Sequence, residues 1–256
     1  MEVWTLYYAD VCMDKFNMKI ALIIALISLL GSCSLKDKSE ETTDVVSGNK
    51  SNLPVSINTL VEYAEYCKAI YDSGGDQKDD VAFDVKQKSG ITIIIIRGTA
   101  NASNVESDAN IALESDVRAG ILFHKGFRDA ALGVMEIIDN TKTLNQTVHL
   151  TGHSLGGAVA QIMGIWLHIR GYSVQVFSYG SPKISTQSGS RPRHWRVVRL
   201  SDPVPFMPPW PYVHTGLFIN SQTLDWGPDN DKGLISKTDG LDHAIAKYVT
   251  TLKGQL

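Results

Sequence analysis

The sequence has little of what would mark a small disulfide-held protein or a nucleic-acid-binding protein. Its three cysteines, at positions 12, 33 and 67 of 256 residues, are too few for a disulfide framework. Its formal net charge is −3, so it has no overall attraction for phosphate backbones, and nucleic acid is not an expected partner. Hydrophobic residues make up 43% of the chain, which is typical of a globular domain with a packed core.

Long apolar runs are also missing. The run IALIIALISLL, at residues 20–30, is too short for a transmembrane helix, which needs about 20 residues. It follows Lys19 and is typical of a signal-peptide core. The tetrapeptide Leu30-Gly31-Ser32-Cys33 resembles the lipobox of bacterial lipoproteins, which predicts a lipid on Cys33. Ordinary secretion and a membrane-anchored start are the alternatives.

The rest of the N-terminal region sets the domain organisation. Residues 1–17 carry the wrong charge for a signal peptide, so we expect translation to start at Met18 and residues 1–32 to be the signal segment. Residues 33–53 are polar and aperiodic, as in a flexible tether. Residues 54–256 then form one domain on an exported lipoprotein of the bacterial envelope, the outer membrane being one candidate location. No obligate protein partner is indicated.

The pattern of apolar residues predicts an α/β fold. The continuous β-branched run at 91–96 is typical of a strand covered on both faces. Predicted strands and helices alternate from residue 127 to the C-terminus, which favours a mostly parallel central sheet with helices on both faces. An early hairpin, through the strand at 81–88, adds antiparallel character. Helical spacing ahead of it places one buried face on Leu60, Ala64, Cys67 and Tyr71.

The strongest chemical signal is the segment GHSLGG at residues 152–157. It lies between a predicted strand at 147–151 and a predicted helix at 154–170, which is the context of a nucleophile elbow. Such a turn requires glycine on both sides of the serine and projects the hydroxyl above the sheet. Ser154 is therefore the predicted nucleophile.

A serine nucleophile needs a histidine base and an acid that orients it. In this architecture the chain order is serine, acid, histidine. Asp202 fits the acid because it directly follows a predicted strand. His214 and His243 both come after it. We favour His243, at the start of the last helix, as the base, and interpret His214 as structural.

The oxyanion that forms during ester cleavage needs two donors already in place. The backbone N–H of Leu155, next to the nucleophile, is one candidate. Thr99 is the other, because the buried strand at 91–96 runs directly into Arg97-Gly98-Thr99.

Taken together, these motifs resemble the class 3 lipases, an α/β-hydrolase family that includes fungal triacylglycerol lipases and related phospholipases A1. The resemblance implies a triad of Ser154, Asp202 and His243, and an oxyanion hole of Thr99 and Leu155. It also implies that His124 and Gly126 support the site. The matching blocks are RGT at 97–99, HKGF at 124–127, TGHSLGGAVA at 151–160, YGSP at 179–182, SDPVPFMPP at 201–209 and DHAIAKY at 242–248.

The family resemblance implies hydrolysis of acylglycerols or related lipid esters through an acyl-serine intermediate. Phospholipase A1 or short-chain esterase activity on the same site, and a non-catalytic lipid-binding lipoprotein, are the alternatives. No cofactor is indicated, since the chain has no P-loop and no GxGxxG. We expect no metal: His149 and His153 are predicted to straddle a strand and a turn, and Asp225–Asp231 gives only a weak calcium signal.

Two further segments have open interpretations. Arg191, Arg193, Arg196 and Arg199 are expected on a solvated face, with anionic lipid as the alternative. The proline-rich run at 203–212 is expected beside the site. Its Phe206, Met207 and Trp210 either line an acyl groove or cap the core.

The predicted lid departs from the fungal pattern. In fungal members a short apolar helix, often Asn-Trp-Ile followed by Asp-Leu, covers the site in water. The matching stretch at 104–109 has Val105 for the tryptophan and Glu106 for the isoleucine. We therefore expect a weakly closed lid and weak interfacial activation, unless apolar residues within 110–122 supply the missing cover.

Overall fold

The computed structural model describes residues 47–78, 81–98, 112–187, 191–228 and 241–256. The predicted signal peptide and Cys33, Thr99, the lid stretch at 104–109 and the end of the Asp225–Asp231 segment lie outside these residues. Predictions on those segments therefore stay predictions. In the described part, no helix is both long and apolar enough to span a membrane.

An eight-stranded sheet forms the centre of the described fold. Its strands lie in the order β1-β2-β3-β6-β7-β8-β9-β10, and the pairs from β3 to β9 are parallel. β1, β2 and β10 add antiparallel edges, while β4 and β5 form a separate hairpin. The strands are β1 (Asp76–Lys78), β2 (Val81–Lys88), β3 (Ile91–Ile96), β4 (Leu113–Asp116), β5 (Ile121–His124), β6 (Thr147–His153), β7 (Ser173–Tyr179), β8 (Arg193–Val198), β9 (Leu217–Asn220) and β10 (Trp226–Gly227).

Four helices cover the two faces of this sheet, as expected for an α/β fold. α1 (Ile57–Ser73) and α4 (Ile245–Lys253) pack on one face. α2 (Lys125–Thr141) and α3 (Leu155–Ile169) pack on the other. The mostly parallel, helix-covered sheet predicted from the sequence is confirmed.

Strand β3 shows why its apolar run is continuous. Ile93 and Ile95 join the core beneath α1 and α4, whereas Ile94 and Ile96 join the core beneath α2 and α3. Successive side chains of a strand point to opposite faces, so a strand with a core on each side needs an apolar residue at every position.

Residues just before the predicted boundary at Pro54 contact the domain. Gly48 and Trp226 exchange two backbone hydrogen bonds of 2.9 Å, and the Trp226 indole donates to Asn52 at 3.2 Å. Residues 50–52 form a 3₁₀ turn. The end of the predicted tether therefore contacts the domain. A single bridge and a three-residue turn are too short to produce a period in the sequence.

Candidate active site

The turn that carries Ser154 is built as a nucleophile elbow. Ser154 has φ 58° and ψ −130°, a conformation that costs a non-glycine residue about 1–3 kcal/mol. A Cβ on Gly152 would lie 2.2 Å from the Gly156 carbonyl oxygen, and one on Gly156 would lie 2.2 Å from the Ile96 carbonyl oxygen. Both positions therefore require glycine. α3 begins directly after Ser154 and directs its positive N-terminal end toward it.

The structure brings together the three residues predicted as a triad. His243 Nε2 lies 2.7 Å from Ser154 Oγ, and His243 Nδ1 lies 2.8 Å from Asp202 Oδ2. All three side chains are buried. They come from the turn after β6, the loop after β8 and the 3₁₀ turn before α4. A hydroxyl, an imidazole and a carboxylate thus form one hydrogen-bonded chain.

Asp202 is held by two further donors. The Tyr248 hydroxyl donates to Oδ2 at 2.6 Å, and the Val204 backbone N–H donates to Oδ1 at 2.9 Å. Burial, followed by the neighbouring Asp202 carboxylate, raises the pKa of Tyr248 well above its ordinary value, so its hydroxyl stays protonated and able to donate. The hydrogen bond from Tyr248 to Asp202 was not predicted from the sequence. Tyr248 lies at the end of the DHAIAKY block, where a buried tyrosine close to the predicted base was the available signal.

His153 directly precedes Ser154 and contacts the main chain of His243, the predicted base. Its Nε2 lies 2.6 Å from the His243 backbone oxygen, and the Tyr71 hydroxyl lies 2.9 Å from its Nδ1. β6 extends to His153, so His149 and His153 lie on one strand face. The prediction that they straddle a strand and a turn was wrong. Each instead hydrogen-bonds a tyrosine of α1 through Nδ1.

His214, the alternative base, lies elsewhere. Its Nε2 donates to the Pro205 carbonyl oxygen, in the 3₁₀ turn Val204–Phe206. Burial, then the charge of Arg196, lowers the pKa of His214 well below its ordinary value. The imidazole that meets the serine is that of His243.

The candidate oxyanion donors are partly described. Leu155 is the first residue of α3 and follows Ser154 directly. Thr99 lies outside the described residues, but Gly98 before it approaches the elbow closely: a Cβ there would lie 3.0 Å from Ser154 Cβ. The end of β3 therefore reaches the predicted nucleophile.

His124 and Gly126 lie at the start of α2. The His124 ring stacks on Phe127 with 3.9 Å between centroids, and its Nδ1 accepts the Phe127 N–H at 3.4 Å. A Cβ on Gly126 would lie 3.5 Å from the His124 ring. Burial lowers the pKa of His124, so the ring stays neutral and able to cap the helix. These contacts suit a supporting role.

The arginine cluster does not form one solvated face. Arg196 is buried, with its guanidinium 5.4 Å from the centre of the Phe218 ring, and Arg199 donates to Asp242 at 3.4 Å. Arg193 is exposed and lies over Trp195. The prediction was wrong because β8 is buried on both faces from His194 onward, which the charges in its sequence obscured.

The proline-rich run divides between core and surface. Val204, Pro205 and Tyr212 are buried, but Trp210 is 88% exposed. Trp210 therefore does not cap the core. Its indole projects into solvent from the loop that follows Asp202.

Several known proteins are similar to this chain. Residues 93–212 match the family model described as Lipase (class 3). Over 154 residues the chain is 32% identical to the secreted mono- and diacylglycerol lipase 1 of Fusarium solani, a match that covers 53% of this chain and 44% of that protein. The middle of the chain is thus similar to the class 3 lipases.

The chain is also 26% identical over 195 residues to the secreted mono- and diacylglycerol lipase A of Penicillium camembertii, covering 70% of the chain and 62% of that protein. It thus spans about half the length of the curated relatives it matches. The solved structure of Rhizomucor miehei triacylglyceride lipase matches with a TM-score of 0.59 at 21% identity, over 78% of this chain and 95% of that one. This likeness shows the α/β-hydrolase fold.

Proposed function

We propose that this protein is a class 3 lipase that hydrolyses the acyl esters of glycerides, with Ser154 as nucleophile, His243 as base and Asp202 as the acid that orients it. The observation that carries the proposal is the buried hydrogen-bonded chain from Ser154 Oγ through His243 to Asp202. The match to the class 3 lipase model and the names of the fungal relatives support the substrate class.

The first step forms an acyl-enzyme. Ser154 Oγ attacks the ester carbonyl carbon while His243 Nε2 takes the hydroxyl proton, and Asp202 stabilises the imidazolium and holds its Nδ1–H. The tetrahedral oxyanion accepts hydrogen bonds from the backbone N–H groups of Leu155 and Thr99. The bond to the glyceryl oxygen then breaks, and His243 returns the proton to that oxygen as the alcohol leaves.

The second step releases the acid. A water molecule takes the place of the alcohol, and His243 Nε2 accepts one of its protons as the oxygen attacks the acyl carbon. The bond to Ser154 Oγ breaks and His243 protonates the serine. One water is consumed, and one alcohol and one carboxylic acid are formed. No redox partner or cofactor takes part in these steps.

Covalent labelling tests the nucleophile. A fluorophosphonate probe should modify the folded protein at one residue, and peptide mapping should place the adduct on Ser154. The chain offers a matched control in Ser178, whose Oγ lies 2.8 Å from Nε2 of the buried His194. Ser178→Ala should label like the wild-type protein, whereas Ser154→Ala should not label. Absence of an adduct on Ser154 would favour the non-catalytic lipid-binding alternative.

Partial glycerides are the first substrates to test, because two matched relatives are named mono- and diacylglycerol lipases. Initial rates on monoolein, diolein, triolein, phosphatidylcholine and p-nitrophenyl butyrate would separate glyceride lipase, phospholipase A1 and short-chain esterase activity. We expect glycerides to be hydrolysed faster than phosphatidylcholine. The reverse order would favour the phospholipase alternative.

The lid is proposed to close weakly. A lid tryptophan can bury about 150–250 Å², worth about 4–6 kcal/mol at about 25 cal/mol per Å², whereas a valine such as Val105 contributes only about 1.5–3 kcal/mol. In the 110–122 segment, Leu113 and Leu122 are 37% and 36% exposed. We expect the rate on tributyrin to rise smoothly through its solubility limit. A steep jump at the onset of emulsion would contradict a weak lid.

Export and lipid anchoring are also proposed. The secreted fungal relatives support export. The anchor rests on the short apolar run and the lipobox-like sequence ending at Cys33. Mass spectrometry of the mature protein should find a diacylated N-terminal Cys33, and Cys33→Ser should release the protein from the membrane fraction. An unmodified mature N-terminus upstream of residue 33 would remove the anchor.

A further inference from the structure

Helix α1 and strand β6 are joined by three side-chain hydrogen bonds, which we call the polar ladder. The three α1 residues are four positions apart, a rise of about 6 Å. The three β6 residues are two positions apart, about 6.6 Å, so the partners stay in step along the sheet. The pairs are Tyr63 with His149 at 2.5 Å, Cys67 with Thr151 at 3.1 Å and Tyr71 with His153 at 2.9 Å.

The last pair of the ladder reaches the candidate active site, and the first pair lies eight residues back along α1 and four residues back along β6. His153 directly precedes Ser154. Its ring lies 4.6 Å from the His243 ring between centroids, and its Nε2 bonds the His243 carbonyl oxygen. The Tyr71 hydroxyl also lies close to Gly98, two residues past the end of β3: a Cβ on Gly98 would lie 2.8 Å from the hydroxyl oxygen. The pair therefore touches the strand end before Thr99 as well as the base.

The hydrogen-bond partners determine the form of the His153 ring. A carbonyl oxygen only accepts, so Nε2 must carry the proton that bonds His243. Nδ1 is then the acceptor, and the Tyr71 hydroxyl donates to it. Burial, followed by repulsion from His243, lowers the pKa of His153 to about 3, and burial raises the pKa of Tyr71. Both groups stay neutral through the ordinary pH range.

We propose that His153, held by Tyr71, is a positioning residue that fixes the main chain of His243, so that the base faces Ser154 on one side and Asp202 on the other. This inference rests on the proposed ester hydrolysis. His243 ends a three-residue 3₁₀ turn, Leu241–His243, and such a short turn has few hydrogen bonds of its own. The bond from His153 therefore ties the base to the central sheet.

Two substitutions at His153 test the bond itself. His153→Leu removes the donor in a side chain of similar bulk, and a displacement of the base by about 1 Å would lower kcat by about 100-fold, with KM changed less than about twofold. His153→Gln keeps a neutral N–H donor and should restore kcat to within about tenfold of the wild-type value. Equal losses in the two variants would show that ring packing, and not the donated bond, is what matters.

Two matched tyrosine substitutions separate positioning from stability. Tyr71→Phe and Tyr63→Phe each remove one hydroxyl from α1 and one hydrogen bond to a β6 histidine, so both should lower Tm by a similar amount. Only Tyr71→Phe should lower kcat, by up to about tenfold, since one lost hydrogen bond has that order of effect. If His153→Leu does not fold, the comparison of Tyr71→Phe with Tyr63→Phe tests the positioning role by itself.

The outcomes distinguish the two proposals. The assay is the steady-state hydrolysis of p-nitrophenyl butyrate, with Tm measured on the same samples. Wild-type protein that neither hydrolyses the ester nor reacts with fluorophosphonate would overturn the proposed function, and this inference with it. Active wild-type protein combined with equal kcat in Tyr71→Phe and Tyr63→Phe would overturn the positioning role alone.

Discussion

The two faces of the central sheet are held to their helices in different ways. Beneath α2 and α3 the core is an apolar cluster, in which Ile94, Val148 and Leu150 of the sheet join apolar residues of both helices. Beneath α1 and α4, hydrogen bonds cross the interface. They include the polar ladder, the Tyr179 hydroxyl donating to the Leu60 carbonyl at 2.6 Å and Tyr248 donating to Asp202.

Strand β6 shows the difference within seven residues. Val148 and Leu150 belong to the apolar core beneath α2 and α3. His149, Thr151 and His153 hydrogen-bond residues of α1 on the other face. Apolar burial stabilises without direction, whereas a hydrogen bond also sets the relative positions of its two groups. The His243 side chain comes from the hydrogen-bonded face. We therefore expect substitutions that break hydrogen bonds next to Ser154 and His243 to lower kcat. Substitutions on the apolar face should instead lower the free energy of unfolding.

The largest expected effect is on turnover. Ser154→Ala and His243→Ala should each lower kcat by about 10⁶-fold, as for the serine and histidine of a serine protease, and the double variant should be little worse because the groups act as one unit. The measurement is kcat on p-nitrophenyl butyrate. His214→Ala is the control: it removes a buried histidine and should lower Tm while retaining the chemistry. Lost activity in folded His214→Ala, with activity retained in His243→Ala, would reverse the assignment of the base.

The second-largest expected effect on kcat comes from Asp202, the proposed acid of the triad. Asp202→Asn should lower kcat by about 10⁴-fold, because an amide in place of the carboxylate favours the wrong tautomer of His243, as in the serine proteases. Single-turnover acylation of the variant would measure it. A near-wild-type rate would point to another acid, with Asp225 the first to examine.

The order of motifs along the chain was enough to predict which side chains meet. Ser154 and His243 are 89 residues apart, with Asp202 between them in the chain. Each of the three nevertheless follows a strand or precedes a helix that the apolar pattern predicts. The supporting groups were harder to predict. Tyr71, His153 and Tyr248 make hydrogen bonds between elements distant in sequence, and no local pattern encodes which face of α1 meets which face of β6.

The shortest elements were also missed, for a related reason. β1, β10 and the β4–β5 hairpin have two to four residues per strand, fewer than an alternating pattern needs. Arg196 illustrates a second limit. Charge in a sequence favours a surface position, but its buried place on β8 depends on partners that only the folded chain supplies.

Substitutions at two neighbouring residues of β6 test the difference between the two faces of the sheet. Leu150→Ala should lower the free energy of unfolding by about 2–5 kcal/mol, through lost apolar burial and the cavity left behind. Thr151→Val, on the opposite face, removes the hydroxyl that bonds Cys67 and the Tyr63 carbonyl oxygen, and should cost about 1–2 kcal/mol. Urea unfolding measures both, and kcat should be unchanged in each. A large loss of kcat in folded Leu150→Ala would break the division between the faces.

A smaller effect is the loss of stability in acid. Burial lowers the pKa of His153 and of His194 to about 3, whereas the unfolded chain protonates histidine near pH 6.5. Between pH 6.5 and 3 the unfolded state therefore binds more protons, and each histidine lowers stability by up to about 1.4 kcal/mol per pH unit as the pH falls. Above pH 6.5 both states are neutral and the penalty is absent.

Urea unfolding from pH 7.5 to 4.5 measures this dependence. The slope of the unfolding free energy against pH gives the number of protons taken up on unfolding. In His194→Gln, whose side chain cannot be protonated, this number should fall by about one below pH 6.5. An unchanged slope in His194→Gln would mean that His194 is protonated in the native protein.

The smallest effects are expected at Trp210, the solvent-exposed aromatic residue of the proline-rich run. Trp210 is 88% exposed, whereas Tyr212, two residues later, is 3% exposed. Trp210→Ala should change the free energy of unfolding by no more than about 0.5 kcal/mol, as for other surface substitutions, and should leave the rates on p-nitrophenyl butyrate and p-nitrophenyl palmitate in their wild-type ratio. Tyr212→Ala, by removing a buried aromatic ring, should cost about 3–5 kcal/mol. A changed ratio of long-chain to short-chain rates in Trp210→Ala would place its indole in the acyl groove, and a stability loss matching that of Tyr212→Ala would place it in the core.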